Sequence, residues 1–429
     1  MKFTKKLATL AVTALAVVSL TACSNKRSNS SAKIPTKISK KTTVVFWHGM
    51  VGGQEKALKS MAKEFEAKNP KIHIKLENQG KYSDLQAKIN STLQSPKNLP
   101  TISQAYPGWL LVAAQAKKLV DMKPYITNSK IGWGSVTKSD IRADLLKGAQ
   151  IKGVQYGIPF NKSIEVLLYN KDLLKKYGVK VPKNMAELKK AAKVIYKKSD
   201  HKVVGAGFDS LSNYYALGMK EKGHDFNNKI DFTSSDSKSI IDFYANGIKD
   251  GYFQTAGSAG YLSGDFSNQK LAMYVGSSAG ECFVKMGVGK KFEYGVAPRP
   301  SEYNIAQGTD IYMFDSASAD QKAAAFMFIK FLLTKENQLA WADKTGYIPV
   351  TNTVISSEAY KESKKTKMPP ILTKAMANLY SVPVVKNSNA AYAAVNTELQ
   401  AVFAQAKKHK DWSENIKKGQ HKIDSAWKQ

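Results

Sequence analysis

Short strand-like runs alternate with amphipathic stretches along this chain, and this alternation constrains its fold more than any other feature. Residues 43–46 form a β-branched and aromatic run, and the apolar residues of 54–68 recur at helical spacing. A second strand pattern follows at 72–76, then a helical pattern at 84–93 and a strand pattern at 101–105. Strands that alternate with helices predict βα units on a largely parallel sheet. The sequence therefore predicts an α/β fold.

The same alternation returns in the second half of the chain. A strand is predicted at 164–169 and another at 271–275, with a helix over 185–198 that Asn184 can cap and a helix over 320–334. A chain of 429 residues is long enough for two or three domains or for one two-lobed body. Two βα-rich halves favour two lobes with a cleft between them.

The N-terminus has the pattern of a secretory signal. Three lysines in the first six residues precede an uncharged apolar run at 7–20, which is too short for a comfortable transmembrane helix. The run leads into Leu-Thr-Ala-Cys, which resembles a bacterial lipobox. We therefore expect a signal peptide over 1–22, a lipid on Cys23 and a flexible, serine- and lysine-rich tether over 23–41. This predicts a protein held at the extracellular face of the cell membrane.

Composition and spacing exclude several classes of function. The net charge is +31, but only Arg27, Arg142 and Arg299 are arginines, and base readout favours arginine, so we expect no nucleic-acid partner. The lysine surplus instead suits an anionic cell envelope or draws in anionic solutes through a weak field. Two cysteines give no disulfide framework, and the six histidines show no metal-binding spacing. We therefore predict no metal site and no cofactor.

Several segments, taken in order, resemble the extracellular solute-binding proteins of ABC importers, family 1, to which maltose-binding protein belongs. Within that family they are most similar to the glycerol-3-phosphate binders. The segments are Phe46-Trp47-His48-Gly49-Met50, Pro159-Phe160-Asn161-Lys162-Ser163, Leu168-Tyr169-Asn170-Lys171-Asp172, Gly276-Ser277-Ser278 and Lys344-Thr345-Gly346-Tyr347-Ile348-Pro349.

The resemblance implies a two-lobed, periplasmic-binding-protein-like fold of type II with a hinge between the lobes. Lobe 1 is expected at 42–158 and 296–345, and lobe 2 at 159–295 and 346–429. A small-molecule solute is expected to bind in the cleft, and the closed protein then docks on the transmembrane subunits of an ABC permease. The resemblance implies a binding protein without enzymatic activity, and we expect a monomer.

Functional positions of the family are carried over residue by residue. The resemblance assigns ligand binding to Tyr82, Ser163, Ser277, Gly308 and Tyr347. A helix opening at Ser277 would offer free N–H groups to an anion. Aromatic residues that could stack on a sugar ring are Trp47, Tyr106, Trp109 and Tyr392.

Two positions depart from the glycerol-3-phosphate binders. Pro107 stands where an acidic residue is expected, and Tyr392 aligns with an arginine that would clamp phosphate. Lys162 or Arg299 could replace the lost charge. The expected ligand is sn-glycerol-3-phosphate or a glycerophosphodiester, with a neutral sugar or oligosaccharide as the alternative. A surface lipoprotein hydrolase and an adhesive envelope protein are the alternatives from other classes.

Overall fold

The computed structural model describes residues 34–134 and 136–428. From Ile34 onwards the chain forms one compact unit. The predicted signal peptide (1–22), the predicted lipidation site Cys23 and the tether up to residue 33 lie outside the described residues.

The described end of the predicted tether contacts the folded body. Ile38 is buried in the first apolar core, and Ile34 packs against the same core. The Lys71 ammonium donates a hydrogen bond to the Ser39 carbonyl (2.8 Å). Residues 34–41 can pack in this way because two isoleucines give them apolar surface to bury, which the serine- and lysine-rich stretch before them lacks.

The strands belong to one sheet with the order β2-β1-β3-β9-β4-β7-β5-β6, in which β10 also pairs with β9 and β8 with β4. In the described residues they are β1 (Thr42–His48), β2 (Ile72–Asn78), β3 (Ile102–Ala105), β4 (Gly157–Asn170), β5 (Ala206–Phe208), β6 (Phe253–Thr255), β7 (Met273–Ser277), β8 (Tyr294–Pro298), β9 (Asn304–Met313) and β10 (Leu379–Tyr380). β1, β2 and β3 are parallel, as are β5, β6 and β7. The predicted alternation therefore yields two parallel groups of strands.

Two long strands join these parallel groups. β9 is antiparallel to β3 on one side and to the first half of β4 on the other. The second half of β4 pairs with β7 and β8. The chain thus passes from the first parallel group to the second within β4, near the predicted lobe boundary at residues 158–159.

Helices cover the sheet. Those of the described residues are α1 (Gly52–Lys68), α2 (Tyr82–Thr92), α3 (Leu111–Gln115), α4 (Lys123–Ile126), α5 (Ala143–Gly148), α6 (Lys171–Tyr177), α7 (Met185–Lys198), α8 (Leu211–Glu221), α9 (Ser235–Lys249), α10 (Ser263–Ser267), α11 (Glu281–Val288), α12 (Ala319–Leu332), α13 (Lys335–Thr345), α14 (Asn352–Ser356), α15 (Glu358–Lys361), α16 (Pro369–Ala375), α17 (Ser388–Lys407) and α18 (Ser413–Lys428). Across 34–134 and 136–428, none of them has both the length and the apolar character that a membrane span requires.

Local sequence accounts for several of these bounds. The Asn184 side chain accepts a hydrogen bond from the Glu187 N–H, so the predicted cap of α7 is confirmed. α12 opens on a capping box formed by Ser318 and Gln321, and its apolar face packs Phe328 against Phe46 and Phe65. The two parallel groups of strands each end at one edge of the sheet, and the candidate site lies beside these edges.

Candidate functional site

The candidate site lies where the parallel strands end. β1, β2 and β3 end together in the first group, and β5 and β7 end together in the second. In open α/β sheets, ligands bind beyond the carboxyl ends of the strands. The Gln54 side chain, which follows β1, lies 3.4 Å from the carbonyl oxygen of Ala279, which follows β7. The segments that follow β1 and β7 therefore meet beyond the strand ends.

A hydrogen-bonded network at this cleft joins positions far apart in the chain. The hydroxyls of Tyr82 and Tyr347 lie 3.2 Å apart, and the Asn161 amide donates to Tyr82 at 3.2 Å. The side-chain oxygen of Asn161, Oδ1, accepts hydrogen bonds from the Gln104 amide (3.0 Å) and the Thr309 hydroxyl (2.9 Å). Burial raises the pKa of both tyrosines, so their hydroxyls are neutral at physiological pH and can donate or accept.

Gly308 lies at the bend where β9 passes β4. Its φ of +82° belongs to the left-handed region, and a Cβ at this position would overlap the Asn161 carbonyl oxygen. Its N–H donates to the Tyr106 hydroxyl at 3.3 Å. Only glycine fits this conformation and this close backbone approach.

Three aromatic rings beside this network form a cluster. The centroids of Tyr82 and Tyr106 lie 5.7 Å apart, those of Tyr82 and Trp109 6.0 Å, and those of Tyr106 and Trp109 5.1 Å. The contacts are tilted or edge-to-face, as aromatic pairs prefer. Two of the four predicted stacking residues, Tyr106 and Trp109, therefore lie beside the predicted ligand-binding Tyr82.

The other two predicted stacking residues make different contacts. The Trp47 indole is buried, donates to Glu77 at 2.8 Å and lies under the Lys88 ammonium. The Tyr392 ring packs on Phe226, and its hydroxyl donates to the Asn213 side chain. These contacts assign Trp47 to the packing of α2 on the sheet and Tyr392 to a polar network between α8 and α17.

Ser163 and Ser277 lie beside the Tyr347 segment. The Ile348 N–H donates to the Lys162 carbonyl at 2.9 Å, which brings Tyr347 next to Ser163. Ser277 caps the short turn that follows β7, where its hydroxyl accepts from the Ala279 N–H at 3.2 Å. A Cβ on Gly346 would lie 2.6 Å from the Ser278 carbonyl oxygen. The five predicted ligand-binding positions are thus neighbours at one place in the fold.

Neither Lys162 nor Arg299 offers a free positive charge to the cleft. The Lys162 ammonium is buried and donates to Asp310 and to the Gly308 carbonyl, both at 3.0 Å. The Arg299 guanidinium is buried against Glu165, with a distance of 2.9 Å from Nε to Oε2. Each charge is therefore neutralised within the protein, and the expectation that one of them replaces the missing arginine is wrong.

Sequence reasoning missed Asn161 and Gln104, whose side chains hold the tyrosine network in place. Both stand within runs that otherwise read as buried strands, and both are buried. A buried amide must satisfy its hydrogen bonds, so an Asn or Gln within an apolar strand was the available signal. Within residues 34–134 and 136–428, no cluster of three or more His, Cys, Asp or Glu side chains is arranged to hold a metal ion.

The fold and this cleft define a class of binding protein. A sequence profile of the bacterial extracellular solute-binding protein family matches residues 60–370, and the chain belongs to this family. The sn-glycerol-3-phosphate-binding periplasmic protein UgpB of Escherichia coli K12 is 26% identical over 335 residues, which cover 72% of this chain and 74% of that protein. The predicted family is therefore confirmed.

Solved structures confirm the predicted two-lobed fold. UgpB from Mycobacterium tuberculosis in complex with glycerophosphocholine superposes with a TM-score of 0.76 at 17% identity, covering 90% of this chain and 98% of that one. The GacH receptor of Streptomyces glaucescens, solved unliganded and with acarbose, gives a TM-score of 0.76 at 19% identity, covering 90% and 97%. At these identities the likeness concerns the fold.

Proposed function

We propose that this chain is the lipid-anchored solute-binding subunit of an ABC importer. It captures a small molecule between its lobes at the extracellular face of the membrane and delivers it to the permease as a monomer, without chemistry. The observation that carries this proposal is the network of Tyr82, Asn161 and Tyr347. It joins the strand ends of lobe 1 to the chain segments that cross between the lobes. A solute that bonds these hydroxyls is thereby coupled to the hinge.

Two ligand chemistries suit this cleft. The relatives named for glycerol-3-phosphate and glycerophosphocholine support a glycerol phosphate or a glycerophosphodiester. The positive charges of Lys162 and Arg299 favour the second candidate, a neutral sugar. Both are paired with buried carboxylates, so neither is free to bind a phosphate. The half-buried rings of Tyr82 and Tyr106, packed on the buried Trp109, also offer an apolar platform of the kind that a pyranose face packs against. Of the two, the neutral sugar is the better supported by the geometry.

Calorimetry with maltose, glycerol-3-phosphate and glycerophosphocholine distinguishes the two ligand chemistries. If the solute is a sugar, Trp109→Leu should weaken binding at least tenfold, because the ring platform is lost, while Ser277→Ala has little effect. If it is a phosphate ester, the order should reverse, because a charge-assisted hydrogen bond contributes roughly 1.5–3 kcal/mol. Trp412→Leu serves as the matched control, since Trp412 packs against a different apolar core from that of Trp109 and donates to Asp242.

The class itself is tested by scattering and turnover. Solute-dependent compaction of the protein without consumption of the solute is expected. Turnover would instead favour a hydrolase, and binding without any change in shape would favour an adhesive role.

Anchoring at Cys23 gives a separate prediction. Cys23→Ser should release the protein into the medium or leave it uncleaved, because the thioether that carries the lipid cannot form. Fractionation of cells followed by mass spectrometry of the N-terminus measures both outcomes. Cys282→Ser is the control and should leave anchoring unchanged. A Cys23→Ser protein that stays processed and membrane-bound like the parent would exclude a lipoprotein.

A further inference from the structure

Asp209 presents a carboxylate oxygen without a partner at the end of β5. Its N–H donates to the Val275 carbonyl (2.9 Å), so it lies beside the end of β7. Its Oδ1 accepts from the Leu262 N–H at 2.8 Å. Its Oδ2 lies so close to the Gly276 backbone that a Cβ there would overlap it, and no described residue donates to it. Asp209 is half-buried, so this oxygen accepts from water or from a donor that takes the place of water.

Tyr261 projects from the loop that Asp209 holds. Its neighbour Leu262 is buried against Gly207, whereas Tyr261 itself is 68% exposed. The pKa values of Tyr82 and Tyr106 are raised mainly by burial, and Tyr261 raises both further. Tyr261 is therefore a largely exposed ring one residue from the N–H that bonds Asp209, and it interacts electrostatically with two tyrosines of the aromatic cluster.

We infer that Asp209 and Tyr261 form the lobe 2 side of the solute site. Asp209 Oδ2 accepts a hydrogen bond from a hydroxyl of the solute, and the Tyr261 ring covers the face of the solute opposite Tyr106 and Trp109. This inference rests on the proposed function and deepens it, because it states what the solute must present to lobe 2. A large ring that is exposed in this way buries its face only when another molecule packs against it.

The position of Asp209 determines the chemistry of the solute. Ser277, the residue assigned to an anion by resemblance, follows Gly276, which Asp209 touches. A phosphate held at Ser277 would therefore lie close to a second negative charge, and like charges repel strongly in a low-dielectric cleft. A sugar or polyol hydroxyl is instead a donor that satisfies the carboxylate. The solute class that fits lobe 2 is a neutral sugar or polyol.

The affinity for a neutral solute should also increase with pH. Burial raises the pKa of Asp209 to about 7, and the other carboxylate that contributes is Glu165 of β4, which is itself paired with Arg299. The titratable groups that interact with Asp209 from the elements around it are Tyr244 of α9, Tyr261 and Tyr274 of β7, and the pKa of each is raised, so that they remain neutral. Asp209 is thus protonated below pH 7 and ionised above it. Because the ionised form is the stronger acceptor, affinity for a neutral solute should rise from pH 6 to 8.

Calorimetry of four variants against maltose, glycerol, glycerophosphocholine and glycerol-3-phosphate tests the inference. Asp209→Asn and Tyr261→Ala should each weaken binding of the hydroxyl-bearing solute at least tenfold, and Asp209→Asn should abolish the pH dependence. Tyr261→Phe, which keeps the ring, should stay within about threefold. Asp250→Asn, an exposed aspartate of the same lobe, should bind like the parent. Tyr261 is exposed, so its variants are expected to fold.

Three outcomes would overturn the inference. If the parent binds a solute and both Asp209→Asn and Tyr261→Ala bind it equally well, the assignment is wrong while the proposed function stands. If the parent binds glycerol-3-phosphate and Asp209→Asn strengthens that binding, the solute class is wrong. If the parent binds no member of the panel and shows no compaction, the proposed function fails and the inference fails with it.

Discussion

Arg299→Met is expected to lower the free energy of unfolding by about 3–5 kcal/mol, because it leaves the Glu165 carboxylate buried without its cationic partner. Glu165 is almost completely buried and also accepts a hydrogen bond from the Asn213 amide at 2.8 Å. Replacing both partners, with Glu165→Leu and Arg299→Met together, should recover most of the loss, since no unpaired charge then remains. Urea unfolding followed by circular dichroism measures these free energies.

The chain offers a matched control for this pair. Arg142 bonds Asp144 at the surface of α5, where the two side chains are 26% and 39% exposed. Exposed pairs contribute about 0–1 kcal/mol, so Arg142→Met should fall in that range. Equal losses for Arg142→Met and Arg299→Met would show that burial does not set the strength of the second pair.

Gly308→Ala is expected to remove solute binding and to destabilise the fold by more than about 2 kcal/mol. The substitution places a methyl group onto the Asn161 carbonyl oxygen and holds a non-glycine residue at φ +82°. Conformations of this kind cost about 1–3 kcal/mol, to which the overlap adds. Any movement of β9 that relieves the overlap also displaces the Tyr106 hydroxyl and the Lys162 ammonium, which both bond Gly308. Calorimetry and thermal unfolding measure the two losses.

Gly264→Ala is the control for the same chemical change. Gly264 lies in α10, and a Cβ there has no atom within 4 Å. Alanine in a helix is favoured over glycine by roughly 0.5–1 kcal/mol, so this variant should be as stable as the parent or slightly more stable. A Gly308→Ala protein that binds solute with unchanged affinity would mean that the bend of β9 is not part of the site.

Much of the fold followed from periodicity and caps, because these signals are local. The helix predicted over 185–198 has the bounds found for α7, and the predicted strands at 43–46 and 271–275 fall within or next to β1 and β7. The gathering of Tyr82 and Tyr347 followed from family resemblance alone, since no local rule brings together hydroxyls 265 residues apart.

The roles of individual site residues could not be predicted, because they depend on contacts with residues that are distant in the sequence. In the sequence, Lys162 and Arg299 both look free to bind an anionic solute, yet in the structure they form ion pairs with Asp310 and Glu165. Trp47 and Trp109 both follow predicted strands and lie in one apolar core, but among the described residues Trp109 is the one whose ring contacts Tyr82 and Tyr106. Asp209 belongs to no sequence motif. Only the structure shows that its Oδ2 accepts no hydrogen bond from the described residues, at the place where β5 and β7 end side by side.

The placement of β9 has a consequence for how the chain reaches its destination. β9 lies between β3 and β4, so Ile102 pairs with Met313 and the sheet of lobe 1 stays open until residue 313 is available. Contacts between such distant residues form slowly, because the loop that they close must first be ordered. A chain emerging from the ribosome therefore lacks its central strand for most of its synthesis. We expect this delay to keep the polypeptide unfolded long enough for a secretion channel to thread it.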